Sequence, residues 1–373
     1  MKNSSQKFIN TLLTILIFIS CNNKDKLFQI DKSFEVIYVT KNKIPIEFAK
    51  GVHLDSFGIK YIKMLGLADT IAVVIEDSAR PRIRYFDLIG EKELGSFISD
   101  KSNSMTLVNP IYFNQFYYRK GRLFYNLIDL KKNYILNIDL GKSMLDSNYQ
   151  FDSKRFLPYN LVLKFNSLFI TNDSSYIGTY RGNRDVKKNI GGKLFLYNIL
   201  TNELNFSSYY PEVSHERLMQ KNEYPNYYYN YSCFNENKQI LASFNKLFHQ
   251  VDFVDLRNKK QLSVINNEKY FPPNIDSAFP IKLSTQEFYY SVFAGEKYAY
   301  GLCLNGPHKR FIEDSGGTEL HLYEWDGTFK KIIKLDKSRL ISFFVIEKSG
   351  LLFATHYSEK FGYSIIKYNI GIN

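Results

Sequence analysis

The stretch from Ile83 to Phe97, IRYFDLIGEKELGSF, contains a pattern that the rest of the chain repeats. An apolar and aromatic run ends in an acidic residue or Asn, a polar turn follows one apolar residue later, and a second apolar run begins. Six copies of the pattern carry this acidic residue or Asn at Asp87, Asp139, Asn198, Asp255, Glu324 and Asn369. These marker residues lie 45 to 69 positions apart. Such spacing predicts a repeat array whose loops vary in length.

The intervals between the marker residues contain further strand-like runs. The second interval, for example, holds PIYFNQFYY, GRLFYNLI and YILNIDL, separated by turn residues. The chain has 29 Tyr and 31 Phe, which favour the pleated, half-buried surfaces of strands. Three to four short strands per period are typical of propeller blades. The sequence therefore predicts an all-β protein, a six-bladed β-propeller over residues 34–373.

The ring must also be closed, because an open sheet edge exposes unpaired backbone groups. The sixth repeat ends at SIIKYNI and has no further apolar run to form an outermost strand. The apolar run FEVIYV, from Phe34 to Val39, belongs to no repeat of its own. We therefore predict that this N-terminal strand completes the sixth blade.

Residues 1–20 have the composition of an export signal. Lys2 and Lys7 form a basic start, and the apolar run from Phe8 to Ile19 ends directly before Ser20 and Cys21. Twelve helical residues cover about 18 Å, which is shorter than the roughly 30 Å of bilayer hydrocarbon. The sequence FISC resembles a bacterial lipobox and predicts lipidation at Cys21, with residues 21–33 as a tether. An ordinary secretory signal is the alternative.

Several stretches resemble the TolB-like six-bladed propeller lipoproteins of Bacteroidota. The resemblance lies in FISC, in YFDLIGEKELGSF with Asn109 and Pro110 after it, in YAYGLCLNG and in ELHLYEWDGTFKKIIKLD. It implies a lipid-anchored propeller at the outer membrane, facing the periplasm or the cell surface. It supplies no catalytic motif for this chain.

No local motif for catalysis is present. The sequence lacks HExxH, a phosphate-binding loop and GxSxG, and its six histidines are spread along the chain. We therefore predict no catalytic residue, no metal ligands and no cofactor. The formal net charge of +12 is scattered without a long basic run, so that no nucleic-acid partner is predicted. Lipid headgroups or an acidic glycan are possible anionic partners, and a solvated lysine-rich surface is the alternative.

Two segments are candidates for binding. The polar segment from Gly301 to Gly317 contains His308, Lys309 and Arg310, which could contact an anion. The sequence YPNYYYNY contains Tyr227, Tyr228 and Tyr229, whose rings could stack on a sugar or a protein. A solvated loop and an ordinary strand are the respective alternatives. We favour a binding module for a glycan, peptide or protein, and a hydrolase or lyase at the channel mouth is the other hypothesis.

The lipid anchor gives a first testable prediction. Because a single diacylated cysteine would supply the membrane attachment, Cys21→Ala should move the protein from the membrane fraction to the soluble fraction. Detergent partitioning of the two forms measures this. Unchanged partitioning of the variant would contradict lipidation at this residue.

Overall fold

The computed structural model describes residues 34–40, 43–54, 62–68, 70–76, 82–98, 110–111, 115–146, 151–158, 161, 165–172, 174–180, 192–209, 229–266, 281–359 and 362–372. Most of these residues form short strands that are arranged in six small sheets. The sheets form a ring, which confirms the predicted six-bladed β-propeller. The predicted signal, Cys21 and the tether lie outside the described residues.

The N-terminal strands and the first three blades follow one another in the chain. The N-terminal strands are β1 (Glu35–Val39), β2 (Ile46–Ala49) and β3 (Val52–Leu54). The first blade contains β4 (Ile62–Ala68), β5 (Ile71–Glu76), β6 (Arg82–Asp87) and β7 (Lys92–Ile98). The second contains β8 (Pro110–Ile111), β9 (Phe116–Arg119), β10 (Arg122–Asp129), β11 (Tyr134–Asp139), helix α1 (Leu140–Leu145) and β12 (Ser153–Phe156). The third contains β13 (Phe165–Asn172), β14 (Ser175–Tyr180), β15 (Gly192–Asn198) and β16 (Glu203–Tyr209).

The last three blades have the same antiparallel order. The fourth contains β17 (Asn230–Asn235), β18 (Ile240–Asn245), β19 (Gln250–Asp255) and β20 (Lys260–Asn266). The fifth contains β21 (Gln286–Ala294), β22 (Tyr298–Pro307), helix α2 (His308–Ile312), β23 (Thr318–Glu324) and β24 (Phe329–Leu335). The sixth contains β25 (Leu340–Ile346), β26 (Leu351–Ser358) and β27 (Gly362–Asn369). The strands β4, β25, β21, β17 and β13 contact one another in this order between neighbouring blades, so that the first strands of these five blades are innermost. In the second blade, β8 and β9 both pair with β10 on the corresponding side.

Both faces of a blade are buried, which explains the continuous apolar runs in the sequence. In β5, Ala72 and Val74 pack in a cluster with the sixth blade, whereas Val73 and Ile75 pack in a cluster with the second blade. Successive side chains of a strand point to opposite faces, so each face needs its own apolar set. The same alternation joins the second blade to the third, the third to the fourth, and the fourth to the fifth.

The marker residues end strands and hold the turns that follow them. The Oδ1 atom of Asp87 accepts hydrogen bonds from the backbone N–H groups of Ile89 and Gly90, at 3.1 and 3.0 Å. Asn198 and Asp255 hold equivalent turns. Asp139 instead caps helix α1. The repeated signature therefore encodes turn geometry, because Asp and Asn side chains bond to backbone groups two or three residues ahead.

The N-terminal segment closes the ring, but not with the strand that the sequence analysis chose. β1, which contains most of the run from Phe34 to Val39, pairs in parallel with β20 and is a fifth strand of the fourth blade. β2 pairs in parallel with β24 of the fifth blade. β3 pairs antiparallel with β27 and supplies the outermost strand of the sixth blade. The prediction that Phe34–Val39 pairs with the sixth blade was therefore wrong. The fourth blade already has four strands of its own, but the edge of its outer strand β20 can still pair with a further strand.

A substitution at Gly51, where the chain lies close to β27, tests whether β3 closes the ring. A Cβ atom on Gly51 would overlap the side chain of Ile366 and the ring of Tyr368, both on β27. We expect Gly51→Ala to lower the free energy of unfolding by about 1–3 kcal/mol, because the added methyl group pushes β3 away from β27. Urea denaturation measures the change.

Gly141→Ala is the matched control, since its Cβ atom would lie 3.5 Å from Asp139 Oδ1, at ordinary contact distance. In helix α1 this change should be neutral or slightly stabilising. Equal stability of both variants would mean that the approach of β3 to β27 is not needed to close the ring.

Candidate ligand-binding site

A cavity of about 350 Å³ lies against the second blade, on the side that faces the third blade. It crosses the sheet from the innermost strand β9 to the outermost strand β12. Its lining residues are Gln115, Tyr117, Tyr118, Arg119, Asn126, Ile135, Asn137, Ser153, Arg155, Ile170 and Glu236. Ile170 comes from the third blade and Glu236 from a turn of the fourth. The volume falls within the range of small-molecule sites, and most of the lining is polar.

Two asparagines form the buried part of this cavity. Asn126 on β10 and Asn137 on β11 face each other as Cα partners, and they are only 7% and 6% exposed. Asn137 Nδ2 donates to Asn126 Oδ1 at 3.1 Å and also to the hydroxyl of Tyr117. The other two amide atoms, Asn126 Nδ2 and Asn137 Oδ1, are buried without a hydrogen-bond partner among the described residues. Buried polar groups without partners are costly, so a group in the cavity could satisfy them.

A glutamine holds the third blade against the second at the cavity wall. Gln115 Oε1 accepts from the backbone N–H of Ile170 at 2.9 Å, and its Nε2 donates to the carbonyl of the same residue. A second cavity of about 10 Å³ adjoins Gln115 and Asn126. This space is at the lower limit for one water molecule. The larger cavity has room for a ligand.

Charged and aromatic groups surround the opening. Arg119 is 59% exposed and lies 3.8 Å from Asp152, at the outer limit of an ion pair, and Tyr118 is 71% exposed. Arg155 borders the cavity and bonds to the hydroxyl of Tyr176. Burial raises the pKa of the Glu236 carboxyl. The opening therefore presents two guanidinium groups and one carboxyl.

The predicted binding residues that the structure describes, among them Tyr229 and His308, lie on the opposite face of the ring. The innermost strands begin at one face and end at the other, because every blade repeats the same strand order. Arg119 ends β9 and Glu236 follows β17, which places the cavity where innermost strands end. Tyr229 precedes β17. Glu287, whose carboxylate contacts His308 Nδ1 at 2.9 Å, lies at the start of β21.

The structure brings Tyr229 and His308 together through an ion-paired cluster. The backbone carbonyl of Tyr229 accepts from the backbone N–H of Lys246 at 2.9 Å. The Lys246 ammonium and His308 Nδ1 both contact the buried carboxylate of Glu287, at 3.0 and 2.9 Å. His308 is therefore already engaged by a carboxylate. Tyr227 and Tyr228 lie outside the described residues, and the binding role of this group stays a prediction.

Arg310 holds its own loop together. Its guanidinium donates to the backbone carbonyls of Leu304, Ser315, Gly316 and Gly317. Lys309, in contrast, has an exposed side chain that reaches Glu313 at 3.5 Å. Arg310 therefore stabilises the loop, because it donates to several carbonyl groups at once, whereas Lys309 makes one exposed ion pair.

Three buried residues between the fourth and fifth blades could hold a divalent metal. His249, Cys303 and His321 have potential ligand atoms within 4.8 Å of one another. His321 Nδ1 contacts the hydroxyl of Tyr289 and its Nε2 contacts Glu319, each at 3.0 Å. This agrees with the structural role that a histidine inside a strand suggests, and a metal would have to displace the tyrosine hydroxyl or the carboxylate. The sequence did not reveal the cluster, because the three residues come from two blades.

The remaining described histidines and cysteines have structural positions. His356 Nε2 contacts Asp314 at 2.7 Å, and His53 lies edge-on to His356. Burial of Asp314 opposes its ionisation, but hydrogen bonds from His356 and two backbone N–H groups outweigh this and lower the pKa. Cys233 and Cys303 are both buried and form no disulfide. His215 lies outside the described residues.

A sequence signal for the cavity was present. Asn126 and Asn137 each interrupt an apolar run, RLFYNLID and YILNID, in two consecutive strands. A polar residue in the middle of a strand that is buried on both faces needs a partner. That Asn126 and Asn137 lie opposite each other depends on the register between β10 and β11, which these two interruptions do not predict.

The comparisons with known proteins identify the fold. A member of the DUF4221 family from Bacteroides vulgatus is 11% identical to this chain. The match covers 86% of this chain and 96% of that protein, with a TM-score of 0.54. A protein from Bacteroides fragilis that is described as a putative exported protein is 12% identical to this chain. The match covers 90% of this chain and 99% of that protein, with a TM-score of 0.49. No protein-family model and no curated protein sequence matches the chain. At such low identity, the first likeness concerns the fold alone.

The contrast between Arg310 and Lys309 gives a testable prediction. Arg310→Ala should lower the free energy of unfolding by about 1–3 kcal/mol, because carbonyl groups of its loop lose their donor. Lys309→Ala should change it by less than about 0.5 kcal/mol, since an exposed i,i+4 ion pair contributes little. Thermal and urea unfolding of both variants measure this. Equal stability of the two variants would show that Arg310 is available for a ligand instead.

Proposed function

We propose that this chain is a ligand-binding propeller of the bacterial cell envelope and that the cavity of the second blade holds its ligand. The observation that carries this proposal is the pair of unsatisfied amide atoms, Asn126 Nδ2 and Asn137 Oδ1, in a cavity of about 350 Å³. A fold that only needed stability would fill this space with apolar groups. A polar cavity in which one donor and one acceptor have no partner among the described residues is suited to a small polar ligand.

The envelope location rests on the sequence of residues 1–33. An apolar run followed by Ser20 and Cys21 supports lipidation, and the polar residues after it support a tether. Within the described residues, no helix is long and apolar enough to cross a membrane. In this proposal, a lipid on Cys21 holds the protein at the outer membrane, where the propeller meets its ligand.

Binding is favoured over hydrolysis by the residues of the cavity. Among the described residues, its lining contains one carboxyl, Glu236, and no histidine. Glycoside hydrolysis usually needs two carboxyl groups, and acyl transfer needs a nucleophile beside a base. Ser153 lines the cavity without a histidine beside it there. The alternative of a hydrolase or lyase therefore has no catalytic pair at this site.

A screen by thermal unfolding tests the proposal. The compounds would be neutral monosaccharides, uronic acids, amino acids and dipeptides, each at millimolar concentration. At least one should raise the melting temperature of the wild-type protein, because a ligand that binds only the folded state stabilises it. The double variant Asn126→Leu/Asn137→Leu should lose this response.

The stability of the variants supplies the control. Asn137→Leu alone leaves the Asn126 amide without its partner and should cost about 1–3 kcal/mol of unfolding free energy. The double variant removes both buried amides and should recover part or all of that loss. If no compound shifts the wild-type protein, or if the double variant responds equally, the cavity is not the ligand site.

A further inference from the structure

The polar groups of the cavity are arranged in two zones. The amide pair of Asn126 and Asn137 lies in the buried zone, where both residues are more than nine-tenths buried. Arg119 and Tyr118 lie in the exposed zone at the opening. A ligand that fills the cavity must therefore match uncharged amides at one end and a cationic, aromatic opening at the other.

The buried zone selects a group that both donates and accepts. Because Asn137 Nδ2 donates to Asn126 Oδ1, the remaining atoms are the donor Asn126 Nδ2 and the acceptor Asn137 Oδ1. Exchanging O and N in both amides reverses the shared bond but again leaves one donor and one acceptor. A hydroxyl group satisfies both atoms, whereas a carboxylate satisfies only the donor and is repelled by the acceptor. A hydroxyl group therefore suits the inner end of a ligand.

The exposed zone selects an anion. Arg119 and Arg155 border the cavity together with one carboxyl, Glu236, so the lining carries an excess of positive charge. Arg119 is the more available cation, since its side chain is 59% exposed and lies 3.8 Å from Asp152. A guanidinium group binds a carboxylate through two parallel hydrogen bonds. A carboxylate therefore suits the outer end of a ligand.

The aromatic residues at the opening fit a hydroxylated ring. Tyr118 is 71% exposed and borders the cavity beside Arg119. Tyr117 is stacked on Phe124 with ring centroids 5.8 Å apart, and its hydroxyl accepts from Asn137. An exposed tyrosine ring offers an apolar face to the C–H face of a sugar and a hydroxyl to its polar edge.

We propose that the ligand is an acidic sugar of the uronic acid class, bound with its hydroxyl edge at Asn126 and Asn137 and its carboxylate at Arg119. This inference rests on the proposed function, because it needs the same cavity. It adds the chemical class and the orientation of the ligand. The neutral end enters the protein, and the charged end stays at the opening.

Isothermal titration calorimetry with D-glucuronate, D-glucose and acetate tests the class. At low ionic strength, the wild-type protein should bind glucuronate about tenfold more tightly than glucose, since only glucuronate gains the charge-assisted bonds. Acetate should bind weakly, because it has no hydroxyl for the amide pair. Added salt should reduce the preference for glucuronate.

Variants test the orientation. Arg119→Gln should weaken glucuronate about tenfold and leave glucose unchanged, because an exposed arginine contributes its charge to the outer end only. Arg257→Gln, on an exposed turn of the fourth blade, is the control and should change neither affinity. Asn126→Leu/Asn137→Leu should abolish binding of both sugars.

The outcomes separate this inference from the proposed function. Equal affinity for glucose and glucuronate, or acetate binding as tightly as glucuronate, overturns the acidic-sugar assignment and leaves the cavity as a binding site. If a non-sugar compound of the thermal screen binds and no sugar does, the acidic-sugar assignment is likewise overturned and the cavity remains a binding site. Failure of every compound overturns both, and the cavity then holds ordered water only.

Discussion

The burial of both faces of every sheet is the constraint on which this structure depends. A single blade cannot cover its own apolar side chains, so each one packs against two neighbours. The cluster that contains Ala72 and Val74 joins the first blade to the sixth and makes the array a ring. Because every blade is needed to cover the next, a loss at one junction exposes apolar surface at two blades.

The N-terminal segment protects the outer edges of half the ring. β1, β2 and β3 lie on the edges of the fourth, fifth and sixth blades in turn, and only β3 supplies a strand that its blade lacks. Exposed strand edges invite pairing with other chains, so the two additional strands reduce this risk without completing a blade. The described part of the chain thus begins at the side of the propeller, which is where the proposed tether would attach.

The two faces of the propeller have different chemistry. The face with Tyr229 and His308 holds paired charges around the buried carboxylate of Glu287, which suits a stable contact between blades. The opposite face opens into the cavity with the unsatisfied amides of Asn126 and Asn137. Natural proteins break the rules of stable packing mainly at functional sites, and the cavity combines such a break with open space for a ligand.

The sequence by itself determined most of the strands, the turns that the marker residues hold and the number of blades, because these depend on local periodicity and on side chains that bond to nearby backbone groups. Asp87, Asn198 and Asp255 specify their turns wherever the blades finally lie. Only the tertiary structure decided which strand closes the ring, since β3 has just three residues and no apolar pattern that would predict a strand there. The tertiary structure also assembled the cavity, because its residues come from three blades and meet only when sheets pack face to face.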